Sequence, residues 1–207
     1  MNTNHPDRTR PDPIDSAKQK HHLAVIYGSN REDRLCDSVA QWVLSRVAAL
    51  GRYEVEIVDP AAMDLPPRLG SEADQALCDY RRSIGWADAY LIVTPEYNHG
   101  YPSVLKFLID SANEEWKRKP AAFVSYGGQS GGLRAVEQLR QVFGELHVVT
   151  MRDSVSFVNA WDSFDVAGNL HQPAAANGAL ASMLEHLDWW ATTLGTARRT
   201  KAEPAMA

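Results

Sequence analysis

Along the chain, short apolar runs alternate with stretches whose apolar residues recur every three or four positions. Residues 22–27 (HLAVIY) are almost wholly apolar and stop at Gly28-Ser29-Asn30. A run of that length bounded by turn residues suits a strand buried on both faces. Leu35, Val39, Trp42, Val43, Val47 and Leu50 then repeat with helical spacing until Gly51, a residue suited to ending a helix. Residues 53–58 (YEVEIV) alternate as a strand does. Ser71 with Asp74 three residues on resembles a capping box and predicts a helix to about Trp86. A third buried strand is read at 89–93 (AYLIV), with Pro102 suited to the first turn of a helix reaching about Ala112. Residues 121–125 (AAFVS) read as a fourth strand. Leu133, Val136, Leu139 and Val142 or Phe143 then mark one helical face, and 146–150 a fifth strand. Residues 154–177 read as irregular, a length typical of functional or interfacial loops. Leu180, Met183, Leu184, Leu187, Trp190 and Leu194 predict a final helix.

Strands alternating with helices imply a parallel sheet with helices on both faces. Five of them fit a doubly wound, flavodoxin-like α/β sheet of order 2-1-3-4-5. The chain has 207 residues, 44% hydrophobic, enough for one core, which the pattern places at 21–195. Residues 1–20 hold almost nothing apolar and read as a disordered tail, without the hydrophobic stretch a signal peptide needs. Residues 196–207 read as a flexible tail. A net charge of −5 gives no electrostatic reason for a nucleic-acid or anionic-membrane partner, and no apolar run is long enough to span a bilayer. Cys36 and Cys78 form no CxxC pair, so no metal site is suggested; they read as reduced thiols of a cytoplasmic protein.

In such a sheet, ligands bind beyond the carboxyl ends of the strands, at the switch point in strand order. That rule selects three loops. The first, residues 28–35 (GSNREDRL), leads into a helix N-terminus, where unpaired N–H groups and the helix dipole favour an anion. Ser29 adds a donor and Arg31 a fixed charge able to grip phosphate through two nitrogens. A solvated turn is the alternative. The loop is neither GxxxxGK[ST] nor GxGxxG, and Cys36 has Trp42 six residues on, where a thiolate phosphatase needs Arg. The second, residues 94–102 (TPEYNHGYP), is a stiff aromatic platform suited to a flat ring system. His99 in it is a possible acid, although a lone loop histidine is more often a surface residue. The third, residues 126–132 (YGGQSGG), has four glycines that let backbone N–H groups approach a ligand closely.

Gly28-Ser29-Asn30-Arg31, Pro95-Glu96-Tyr97-Asn98 with Pro102 and Leu105-Lys106, and Gly131-Gly132-Leu133-Arg134-Ala135 together resemble the NADPH-dependent FMN reductases over about residues 22–158. The resemblance implies bound FMN, reduced by NADPH or NADH and reoxidised by a quinone, free flavin, azo compound or metal oxyanion. It implies that Ser29, Arg31 and the turn Arg34-Leu35-Cys36 hold the phosphate. Pro95, Glu96, Tyr97 and Asn98 would line the ring and ribityl chain, and Tyr126, Gly127, Gly128 and Ser130 would close the other edge. No catalytic acid or base is named, because the cofactor carries the chemistry. Many members have Ser and Asn where this chain has Arg34 and Cys36, so Arg34 either adds a second charge or points to solvent. An electron carrier that never meets NAD(P)H is the alternative function. The family's habit, together with Trp116, Trp161, Phe164, Trp189 and Trp190 in polar surroundings, leads us to expect a homodimer or homotetramer.

Overall fold

A computed structural model of the chain describes residues 20–69 and 74–200. Its elements run β1 (His21–Tyr27), α1 (Cys36–Leu50), β2 (Tyr53–Val58), α2 (Gln75–Trp86), β3 (Ala89–Pro95), α3 (Ser103–Asp110), β4 (Pro120–Gly127), α4 (Leu133–Glu145), β5 (Val149–Val158) and α5 (Pro173–Thr200). All strand pairs are parallel and the order is β2-β1-β3-β4-β5, as the alternation predicts. The order reverses at β1 and β3, which opens a crevice beyond their carboxyl ends.

The pleat sends alternate side chains to opposite faces. Leu23, Val25 and Tyr27 meet Val39, Val43 and Val47 of α1 and Leu180, Leu184 and Leu187 of α5. Ala24 and Ile26 meet the other layer, built from Ile84 of α2, Leu105 and Leu108 of α3, and Leu139 and Phe143 of α4. Complete burial of such a side chain contributes about 1.5–3 kcal/mol, so the unbroken apolar runs follow from a sheet covered on both sides. Gly51 ends α1 at φ 65°, its N–H bonded to the Ala48 carbonyl. Asp74 caps α2 by accepting from the Leu77 N–H at 3.1 Å; Ser71, the expected partner, lies outside the described residues. At the other end of α2 the buried Lys119 ammonium donates to the carbonyls of Ile84 and Gly85 at 2.8 and 2.9 Å, and burial lowers its pKa to about 8.

Several expectations need correction. Strand β5 was expected at 146–150 and in fact runs to Val158. Ala121 faces Thr150 but Phe123 faces Ser154, so extra residues of β5 bulge out. Arg140 steadies the bulge by donating to the Met151 and Arg152 carbonyls. The bulge spaces the buried side chains at Met151, Val155 and Phe157, which hides the period of two. Helix α5 starts at Pro173, well inside the expected irregular stretch, and continues through 196–200, which were expected to be flexible. Arg198 in that last turn donates to Asp88 at 3.0 Å and to the Arg118 carbonyl at 2.8 Å. Leu133, expected on the core face of α4, is half exposed.

Trp116 was expected on an outer surface and is fully buried. It sits on a short 3₁₀ turn, Glu114–Trp116, and its indole N–H donates to the Ile109 carbonyl at 3.1 Å. Its ring meets Tyr90 and Phe143 edge-on at 4.6 and 5.3 Å between centroids. Trp116→Ala is expected to lower unfolding free energy by about 3–5 kcal/mol, measured by urea denaturation.

Candidate functional site

The first loop leaves β1 through Gly28, whose N–H bonds to the Val93 carbonyl of β3 at 2.7 Å. A Cβ on Gly28 would stand 2.9–3.0 Å from Thr94, so only glycine allows the two strand ends to come this close. Ser29 is fully buried and its hydroxyl pairs with the Tyr97 hydroxyl at 2.8 Å. Loops one and two are thereby joined beneath the surface.

The two arginines of the first loop have different surroundings. Arg34 was expected either to add a second phosphate charge or to point to solvent; it does not point to solvent, and two carboxylates hold it. Its side chain is only 6% exposed. It forms a fork with Asp59 at the end of β2 (2.6 Å to each oxygen), bonds Asp37 of α1 at 2.8 and 3.0 Å, and donates to the Ser29 carbonyl. Its pKa rises, chiefly through the Asp59 hydrogen bond. Burial opposes a low pKa for Asp59, but the Arg34 fork and the Ala61 N–H outweigh it and hold the carboxyl below its usual range. Two carboxylates neutralise the one guanidinium. Arg31, in contrast, has no ion pair among the described residues; its guanidinium lies 3.5 Å from the centroid of the Tyr97 ring.

Cys36, the first residue of α1, is buried with its thiol toward the Val93 carbonyl at 3.8 Å, and burial raises its pKa to about 11. A neutral, enclosed thiol cannot present its side chain to a ligand. Only its backbone, at the start of a helix whose Leu35 N-cap makes no side-chain cap, remains available.

The second loop turns back on itself. Tyr97 and Gly100 exchange backbone hydrogen bonds at 2.9 and 3.1 Å, with Asn98 and His99 between them at φ 50° and 78°. Two successive left-handed residues are the pattern of a type I′ turn, which Asn tolerates. Asn98 and His99 are therefore exposed at the tip, and Gln138 of α4 holds the His99 carbonyl at 3.0 Å.

Glu96 joins the second loop to the third. Its carboxylate accepts from the Ser130 hydroxyl at 2.7 Å, from the Arg134 N–H at 3.1 Å and from the Arg134 guanidinium at 2.7 Å. It thus occupies the N-terminus of α4. Burial pushes its pKa up, but these donors outweigh burial and hold it below the usual carboxylate range. Ser130 is committed to Glu96 in the same way.

Between the loops lies a cleft of about 350 Å³. Among the expected residues, Arg31, Arg34, Leu35, Pro95, Glu96, Tyr97, Tyr126, Gly127 and Gly128 line it. Ser29 and Cys36 lie beneath the surface, Asn98 is at the turn tip, and Ser130 braces Glu96. Four lining residues were not foreseen: Glu32, Asp33, Ala160 and Trp161. Trp161 stands on a 3₁₀ turn, Ala160–Asp162, just after β5. Its signals were the length of the stretch read as irregular and an aromatic in polar surroundings, which was read as a subunit contact.

The fold and this cleft define a doubly wound α/β protein with its ligand site at the strand ends. Residues 22–162 match the model of the NADPH-dependent FMN reductases, and the chain belongs to that family. It is 38% identical to an NAD(P)H-dependent FMN reductase of Schizosaccharomyces pombe over 133 residues, 60% of this chain and 66% of that protein. The match thus spans just under two thirds of that relative's length. It is 30% identical to a 2-hydroxy-1,4-benzoquinone reductase of Burkholderia sp. over 156 residues, 72% of this chain and 84% of that one. In fold it is similar to FerB, a flavoenzyme NAD(P)H:(acceptor) oxidoreductase of Paracoccus denitrificans, with TM-score 0.68 and 24% identity over 84% of this chain and 98% of that one.

The Glu96 network has a pH signature. A carboxyl whose folded pKa is depressed contributes stability above its unfolded pKa, about 4.3, and loses it as pH falls through the folded value. Glu96→Gln keeps an acceptor for Ser130 but removes the charge. It is expected to cost about 1 kcal/mol at pH 7, with the difference from wild type shrinking only as pH falls below about 4.3 and through the depressed folded value, measured by denaturant titration across pH.

Proposed function

We propose that the protein binds FMN in this cleft and acts as an NAD(P)H-dependent oxidoreductase, passing electrons to a small acceptor of the quinone type. The observation that carries the reading is the joining of three strand-end loops around one cleft, with an arginine that has no ion pair among the described residues and a helix N-terminus at one end and glycine backbone at the other. Family membership supports it, as do the activities in the names of the S. pombe and Burkholderia proteins.

The residues fit the cofactor. A Cβ on Gly127 would lie 3.3 Å from the Gly132 N–H, and one on Gly128 would reach 3.5 Å from Trp161, so this wall has the low profile a flat ring requires. The Tyr126 hydroxyl is buried at the cleft wall without a nitrogen or oxygen partner among the described residues. When bound there, FMN supplies the hydride and electron transfer between nicotinamide and acceptor. Arg31 exchanges its contact with the Tyr97 ring for the phosphate, helped by the N–H groups at the start of α1. Ser29 holds the Tyr97 hydroxyl, which fixes the aromatic wall, while the backbone of Gly127 and Gly128 would lie along the ring and would favour negative charge there. Arg34 and Glu96 position the loops rather than the ligand.

No described helix is long and apolar enough to cross a membrane. With Cys36 a reduced, enclosed thiol, the reading places the enzyme in the cytoplasm. It also includes a homodimer, now resting on fewer aromatics. Trp116 is internal and Phe164 packs on Phe157 of its own chain at 5.3 Å, but Trp189 is 60% exposed beside the half-buried Trp190. Light scattering at micromolar concentration is expected to give twice the chain mass; a mass near 23 kDa would leave Trp189 simply solvated.

The test of function is direct. Protein reconstituted with FMN should show a flavin spectrum that NADPH or NADH bleaches and a quinone restores. A spectrum unaffected by either nucleotide would instead favour an electron carrier. Arg31→Ala is expected to weaken FMN binding by roughly tenfold to a hundredfold, the loss of one charge-assisted contact, measured by fluorescence titration. FMN should bind better than FAD.

A further inference from the structure

Trp161 is 63% exposed, much as Trp189 is on α5, but it stands at the lip of the cleft and the turn that carries it is firmly held. The Asn159 N–H bonds to the Gly128 carbonyl at 3.1 Å, the Asp162 N–H to Asn159 at 2.9 Å and the Ser163 N–H to Ala160 at 3.0 Å. Ala160, beside it, is completely buried. Asn159 opens the turn in the left-handed region at φ 47°. A rigid turn thus presents a large ring to solvent at the lip of the cleft, against Gly128, where a Cβ would lie 3.5 Å from its Cη2. Three residues earlier Val158, 53% exposed, leans on the same loop, its Cγ2 3.1 Å from the place of a Cβ on Gly131.

The cleft is therefore polarised. Its α1 end carries Arg31, Glu32 and Asp33, while its β5 end carries Ala160 and Trp161. An exposed indole on fixed backbone leaves most of its apolar area unused within the chain, and flat rings are what such a surface stacks best. We propose that Trp161 is the specificity-determining wall that receives an uncharged planar acceptor next to the flavin. It would favour quinones over small anionic oxidants. The proposal rests on FMN occupying the cleft. It adds a residue and a selection rule to that reading: the charged end of the cleft holds the cofactor phosphate and the apolar end selects what accepts the electrons.

The experiment compares two acceptors in FMN-loaded enzyme with NADPH: 2-methyl-1,4-naphthoquinone, flat and neutral, and hexacyanoferrate(III), small and anionic. In Trp161→Ala the ratio of kcat/KM for the quinone to that for hexacyanoferrate is expected to fall about fivefold to tenfold, the loss of one aromatic stacking contact. Trp161→Phe should recover most of the ratio. Because each ratio is taken within one preparation, a shift in FMN loading cancels. A second readout does not use turnover: the matching quinol, titrated into oxidised holoenzyme and followed by perturbation of the flavin absorbance, should bind Trp161→Ala about fivefold more weakly than wild type. A ratio within twofold of wild type in Trp161→Ala would overturn the proposal, as would a Phe variant no better than Ala. So would a loss of FMN affinity in Trp161→Ala with quinol binding to the loaded enzyme unchanged, since Trp161 would then belong to the cofactor site. A wild-type chain that takes up no FMN is a different failure and removes the functional reading itself. Bound FMN that NADPH does not bleach removes the reductase reading alone, and the quinol titration then decides on Trp161.

Discussion

Close backbone approach between the ends of β1, β3 and β4 is the constraint on which the site depends. Gly28 bonds to Val93 at 2.7 Å with Thr94 pressed against its Cα, and the Glu96 N–H bonds to the Tyr126 carbonyl at 3.1 Å. The ladder therefore continues into the loops. Strands buried on both faces have no freedom to splay, so the three loops must emerge side by side. Gly132 shows the same demand, for a Cβ there would strike the Ser125 side chain at 2.7 Å. The cleft follows from sheet packing, and the ligand chemistry is placed on top of it.

Two polar networks convert that packing into a defined site. Arg34, shared between Asp59 and Asp37, ties the first loop to β2 and α1. Glu96, shared between Ser130 and Arg134, ties the second loop to α4. Each fully partnered charge offsets its own desolvation, whereas removing one partner would strand the other. Arg34 is neutralised by its two carboxylates, whereas Arg31 has no ion pair among the described residues and rests on the face of Tyr97.

The aromatic residues divide in a way their neighbours along the chain do not reveal. Trp116 lies in a charged run yet closes the core through Ile109, Tyr90 and Phe143. Trp161 lies in a stretch with no periodic pattern yet is held at the rim of the cleft. Burial of an isolated aromatic depends on which elements converge on it. That is set by long-range packing and leaves no local period.

Strand order, the three site loops and most of the cleft residues were legible in the sequence because each is written locally: in period, in an apolar run, or in a glycine or proline where the chain turns. The motifs around Ser29, Tyr97 and Gly128 added the cofactor class. What local pattern could not carry was anything that depends on a distant partner. Arg34 read as a second charge or a solvent-directed side chain, and its fork with Asp59, twenty-five residues away, left no local trace. The far half of β5 was hidden by a bulge that Arg140 supports from α4. The last turn of α5 holds because Arg198 reaches Asp88 and the Arg118 carbonyl. Periodicity is a property of one segment against one surface, and it decides the elements and their faces. Charge pairing, bulges and the exposure of a single ring arise between segments, so the tertiary structure alone decides them.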